Sequence, residues 1–170
     1  MARKPRPRIG KEPNRLRLQA IPVLSTMLGS LFPLLPVIAT APIMPQWGFL
    51  ILLAWRMLHR NIWPAWIILP LGLFDDMFSG QPLGSAMMLW TLAILCMEVL
   101  DRRMIWRDFF QEWAIAALMI VVMILAQLYV VNWDGGTTSI VTLLPQIFVS
   151  ILAFPLVALA CSKLDQWRVN

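Results

Sequence analysis

Histidine, cysteine, tyrosine and charge are all scarce in this chain: 170 residues carry one His, two Cys, one Tyr and 14% Asp, Glu, Lys and Arg combined. The lone histidine, His59 between Arg56 and Arg60, offers no metal site and reads as a solvated loop residue. Cys96 and Cys161 lie in apolar runs without a CxxC spacing, which excludes a disulfide framework and leaves two small buried hydrophobes. Ser25, Ser30, Ser85 and Ser150 have no histidine to activate them, and no glycine-rich phosphate loop is present. No catalytic constellation, cofactor site or metal site is therefore expected. The shortage of charge says most. With 59% hydrophobic residues and a mean hydropathy of +0.72, hardly any segment has the polar face of a soluble amphipathic helix. The composition is that of an all-α integral membrane protein.

What charge there is stands in blocks. Residues 1–19 form a basic arm, with Arg3, Lys4, Arg6, Arg8, Lys11, Arg15 and Arg17 among prolines and Glu12 as its one acid. Such a segment cannot bury a core. It lacks the aromatic interleaving of a nucleic-acid binder, and attraction to anionic lipid is its expected use. A transmembrane domain over residues 20–161 follows, built from apolar runs at 20–41, 46–58, 62–78, 84–100, 109–131 and 140–161, with a cytoplasmic tail at 162–170. At about 1.5 Å per residue the first run covers a hydrocarbon core of roughly 30 Å. It is too long for a signal-peptide core and Pro42 follows its small-residue end, so it reads as an uncleaved span kinked by Pro22, Pro33 and Pro36. The next two runs are shorter and call for local bilayer thinning or snorkelling.

If the arm is cytoplasmic, all fourteen Lys and Arg fall on that side: the seven of the arm, Arg56 and Arg60, Arg102, Arg103 and Arg107, and Lys163 and Arg168. The positive-inside rule then gives six transmembrane helices with both termini in the cytoplasm. Trp47 and Trp133 fall near the outer interface, and Trp55, Trp63, Trp66, Trp106, Trp113 and Trp167 near the inner one, as aromatic belts would. Trp90 falls deeper, as a packing residue. The loops are too short to hold a soluble domain.

One stretch interrupts the apolar pattern: LPLGLFDDMFSGQPLG at 69–84. Asp75 and Asp76 lie in the last turns of the third span, near its outer end, with no Lys or Arg on that side. Charges within membrane segments are functional candidates. At this depth, however, a carboxylate reaches water, and Asp76 is within range of Ser79 or of the amides of the 79–84 turn. Anchoring of the turn and contact with a partner or ion both stay open. Neighbouring helical positions point about 100° apart, so the two acids do not converge on one metal. Gly80 is expected to supply a positive φ and Pro82 to begin the fourth span, making the third and fourth spans an antiparallel pair.

Pro45-Gln46-Trp47 opening a leucine-rich second span, the basic loop behind it, and the stretch from Gly72 to Gly84 resemble the MreD family of rod shape-determining proteins. The family pattern G-x-x-x-D-x-x-S-G-x-x-L-G is matched by Gly72, Asp76, Ser79, Gly80, Leu83 and Gly84, with Asp75 and Pro82 beside them. The specific part covers residues 45–107; the second acid and the long arm depart from the pattern. The resemblance implies a non-enzymatic component of the bacterial inner membrane, helping to assemble and regulate lateral peptidoglycan synthesis through MreC. Through MreC it would reach the RodA glycosyltransferase, its penicillin-binding transpeptidase and MreB filaments. It also implies a six-helix bundle similar to the substrate-binding subunits of energy-coupling-factor vitamin transporters. Such a transporter subunit is the alternative function, and should line an outward pocket with polar residues. The outer loops offer Gln81, Asn132, Asp134, Thr137 and Thr138 for it.

Overall fold

The computed structural model describes residues 15–34, 44–60, 62, 64–103, 109–133 and 135–169. The described residues form six α-helices and no strand: α1 (Arg15–Ser30), α2 (Trp47–Leu58), α3 (Ala65–Ser79), α4 (Ser85–Arg103), α5 (Phe109–Trp133) and α6 (Ile140–Val169). One 3-10 turn, Phe32–Leu34, follows α1. The chain is all-α, as its composition requires.

Helix α2 is the axis of the bundle. Phe49, Leu50, Leu52, Leu53, Ala54 and Trp55 are each at most 4% exposed, so the helix is covered on every side. Its neighbours α1 and α6 supply most of that cover, while α3 pairs with α4 and α5 with α6. Glycines let α1 come close. A Cβ on Gly29 would lie 3.2 Å from the Gly48 amide nitrogen, so the two backbones touch there. At 12 residues α2 is about 18 Å long, short of the roughly 30 Å of a hydrocarbon core. Shielding by its neighbours removes the need to span lipid alone.

Among the described residues, α5 and α6 are the two helices long and apolar enough to cross a membrane by themselves, with windows of mean hydropathy 2.7 and 2.2. Their exposed faces carry Leu118, Val122, Phe148, Leu152, Leu156 and Leu159. Exposed aliphatic residues in such numbers suit lipid and not water. The turn between these helices is fixed by Asn132, whose side chain both donates to the Thr138 carbonyl (3.2 Å) and accepts from the Thr138 amide (3.1 Å).

Several expectations change. Helix α1 begins at Arg15, inside the stretch read as the arm; residues 1–14 and the far end of the first apolar run, 35–41, lie outside the described residues. Helix α6 runs through the tail to Val169, because no breaker follows Cys161. Trp55 is not an interface residue. It is fully buried and donates from Nε1 to Ser25 Oγ (2.9 Å), since an interior helix has no lipid-facing side. Arg56, expected in a loop, sits in the last turn of α2, buried, with Nη2 2.9 Å from Asp101 Oδ2 on α4. His59 is paired and not merely solvated: its Nε2 is 2.9 Å from Asp165 Oδ1 on α6. Trp63 and Trp106 lie outside the described residues.

Candidate functional site

The α3–α4 junction is built from Gly72 upward. A Cβ at Gly72 would fall 2.5 Å from Met87 Cα and 2.8 Å from Met87 N, so only glycine allows α3 to cross the first turn of α4 in backbone contact. Asp76, four residues on, shares that face of α3. The crossing delivers its carboxylate onto the N-terminus of α4, where the first amides have no intrahelical acceptor. Oδ1 accepts from the Ala86 amide (2.8 Å) and the Ser85 hydroxyl (3.0 Å). Oδ2 accepts from the amides of Gly84 (2.9 Å) and Met87 (3.3 Å). Asp76 is 2% exposed, and its two oxygens meet four donors. This is a helix N-cap supplied by a different helix, with the negative charge at the positive end of the helix dipole. The helix end takes the place of a cation.

Asp75 turns to another neighbour. A Cβ at Gly48 would lie 2.9 Å from Asp75 Oδ1, 2.3 Å from Ser30 Oγ and 3.1 Å from the Trp90 ring. Gly48 is the second residue of α2, so Asp75 and the buried hydroxyl of Ser30 meet over the first turn of that helix. The two adjacent carboxylates thus part: Asp76 caps α4, and Asp75 packs beside Gly48 of α2. The 100° between neighbouring positions, which rules out convergence on a metal, is what sends them apart.

The rest of the motif shapes the turn. Gly80 ends α3 at φ 68° and Gly84 precedes α4 at φ 93°, a region that favours glycine. Nothing lies within 4 Å of a Cβ at either, so within the chain their glycine identity serves backbone conformation and not packing. The Pro82 carbonyl accepts from the Ser85 amide (3.0 Å). Leu83 is 76% exposed at the tip. The Ser79 hydroxyl is buried and takes no part in holding Asp76.

Beside this turn opens a cleft of about 250 Å³, and of the loop residues offered for an outward pocket Gln81 and Thr138 line it. Its polar lining is Gln46 at the start of α2, Gln81 in the turn, Gln127 on α5 and Gln146 on α6, with Thr138 at the α5–α6 connection and Leu128 and Leu143 among its apolar wall. Gln46 Nε2 donates to Gln127 Oε1. Gln146 makes no hydrogen bond among the described residues and its amide opens to the cleft, whereas Gln81 Oε1 is buried and unmatched. Sequence reasoning missed Gln46, Gln127 and Gln146; the signal for the last two is that they are isolated amides inside apolar runs. No group of three His, Cys, Asp or Glu that could hold a metal occurs among the described residues. A cleft of neutral amides, each both donor and acceptor, suits a ligand of like character, such as a peptide backbone.

Comparison with curated proteins and with solved structures returns no match. Comparison with family models returns one described as rod shape-determining protein MreD, matching residues 16–165. That match takes in the Gly72-to-Gly84 turn, the capped end of α4 and all four glutamines of the cleft. The chain belongs to the MreD family of rod shape-determining proteins.

Proposed function

We propose that this chain is a non-enzymatic, six-span component of the bacterial inner membrane that organises cell-wall synthesis during elongation, with MreC as its direct partner. RodA, its penicillin-binding transpeptidase and the MreB filaments are then reached through MreC. Both termini lie in the cytoplasm in this reading, so the α3–α4 turn and the glutamine-lined cleft face outward. The basic arm meets anionic lipid on the other side.

The observation that carries the reading is the cleft with its unmatched amides next to the motif turn. The buried, unmatched Gln81 Oε1 costs on the order of 1–3 kcal/mol. A partner that supplies the missing bond recovers that cost only when bound. An extended segment of MreC emerging from the membrane on this side has the needed donors and acceptors, and the exposed Leu83 and bare glycines of the turn offer it a close approach.

The test is Gln146→Leu. Because it replaces an unmatched amide with an apolar group of similar size, the protein is expected to stay as stable as the parent. MreC copurification in mild detergent is expected to fall, and cells carrying the variant should round up. Undiminished copurification and normal rods with Gln146→Leu and Gln81→Ala together would refute the cleft as the MreC site. The cleft also keeps the transporter alternative in play, since a solute-binding subunit needs an outward polar pocket. A small polar solute copurifying with the chain, in place of MreC, would select it.

A further inference from the structure

A second cavity, of about 330 Å³, opens at the other end of α2, between α2, α5 and α6. Ala54, Met57, Leu58, Trp113, Phe154 and Ala158 line it, and Glu112, which has a partner of its own, is the one charged residue in its wall. Water finds little to bond there, and cavities of this kind stay dry. A dry void forfeits the dispersion contacts of its lining. In the six-span orientation proposed above, on which this inference rests, the cavity lies in the cytoplasmic half of the bilayer. Acyl chains are the solvent at that depth. Allowing roughly 30 Å³ for a group the size of a water molecule, the space takes about eleven methylenes, most of the reach of one chain across its leaflet.

Charge at the same end points to the head group. The ion pairs there are Arg56 with Asp101 and His59 with Asp165. Arg60, just past α2, and Lys163 on α6 are exposed and in no ion pair among the described residues. We propose that the α2–α5–α6 cavity seats one acyl chain of an anionic glycerophospholipid from the cytoplasmic leaflet, with the phosphate held by Arg60 and Lys163.

The full chain in nanodiscs, with phosphatidylglycerol or phosphatidylcholine bearing a mid-chain diazirine, provides the test. After photolysis, adducts are expected to concentrate on residues 57–58 and 154–158 over the exposed face of α5. Phosphatidylglycerol should exceed phosphatidylcholine by about thirtyfold, two basic residues acting near the surface. Arg60→Ala with Lys163→Ala should remove that preference. Ala158→Phe fills the cavity from α6 and Leu58→Trp from its exposed rim, and either should deplete the adducts severalfold while the melting temperature shows that the fold is kept. Adducts spread evenly over the apolar surface, or indifferent to both fillers, overturn the proposal. So does displacement of the label by MreC, which would make a partner helix the occupant. A reporter fused after Arg60 that reads periplasm overturns the orientation itself, whereas a cytoplasmic reading with no focused adducts rejects the lipid seat alone.

Discussion

Replacing Asp76 by Asn tests the helix cap, and its effect can be worked from the geometry. The carboxylate receives the Ser85 hydroxyl and the Ala86 amide on one oxygen and the Gly84 and Met87 amides on the other. Asparagine keeps one acceptor oxygen for Gly84 and Met87; its NH₂ on the other side can donate to the Ser85 hydroxyl, which leaves the Ala86 amide facing a donor. The charge at the end of α4 is lost, and one buried amide is left unmatched. At about 1–3 kcal/mol for the unmatched amide and about 0.3–1 kcal/mol for the charge at the helix end, the cost is about 1–4 kcal/mol. For a chain of this size each kcal/mol moves Tm by roughly 2–4 °C, so a fall of about 2–16 °C is expected. Asp75→Asn is the internal control. Its neighbour Ser30 is a hydroxyl that can donate or accept, so an amide is tolerated and the shift should stay under about 2 °C. The assay is heating in mild detergent followed by size-exclusion chromatography of the surviving protein. Equal shifts for the two variants would falsify the assignment of different roles to the two acids.

Reporter fusions after Gly80 and Gly135 should read periplasm, and those after Arg60, Arg103 and Asn170 cytoplasm; a cytoplasmic signal at Gly80 overturns the six-span orientation. Gly84→Leu meets no atom of the chain within 4 Å but sits at φ 93°, so it costs about 1–2 kcal/mol in strain. The variant should insert and yet lose MreC, whereas Gly84→Asn, which tolerates that backbone, should retain more of it; loss at both or at neither argues against the turn as a contact. Asp101→Asn leaves the buried Arg56 guanidinium without its counter-charge and should lower stability by about 3–5 kcal/mol, measured by the same melting assay. A double change to Arg56→Leu and Asp101→Leu that is no better than the single would contradict the pairing.

The helices were largely legible because an apolar run bounded by proline, glycine or charge has few other readings. The third run, set at 62–78, became α3 over Ala65–Ser79, and the fourth, set at 84–100, became α4 over Ser85–Arg103. The positive φ of Gly80 was legible for the same local reason. What stayed hidden depends on contacts between distant residues. Gln46 meets Gln127 across 81 positions and His59 meets Asp165 across 106, and no periodicity connects them. Trp55 was placed at an interface because a tryptophan beside an arginine looks the same whether its helix faces lipid or lies at the centre. The sequence points to the 79–84 turn for the donors of Asp76; of that turn only Gly84 supplies one, and the others come from the helix that follows.

The cap on α4 bears on how the chain enters the membrane. In the six-span reading α3 carries two carboxylates near its outer end, where an unpaired Asp opposes insertion by less than the about 2.5–3.5 kcal/mol of a span's centre. Asp76 is relieved of that penalty only once the amides of residues 84–87 have arrived, and these are the residues translated immediately afterwards. In that reading the unit expected to leave the translocation machinery for lipid is the α3–α4 hairpin and not α3 alone. Truncation between the two helices should leave α3 poorly inserted, and extension of the nascent chain past the first turn of α4 should restore it.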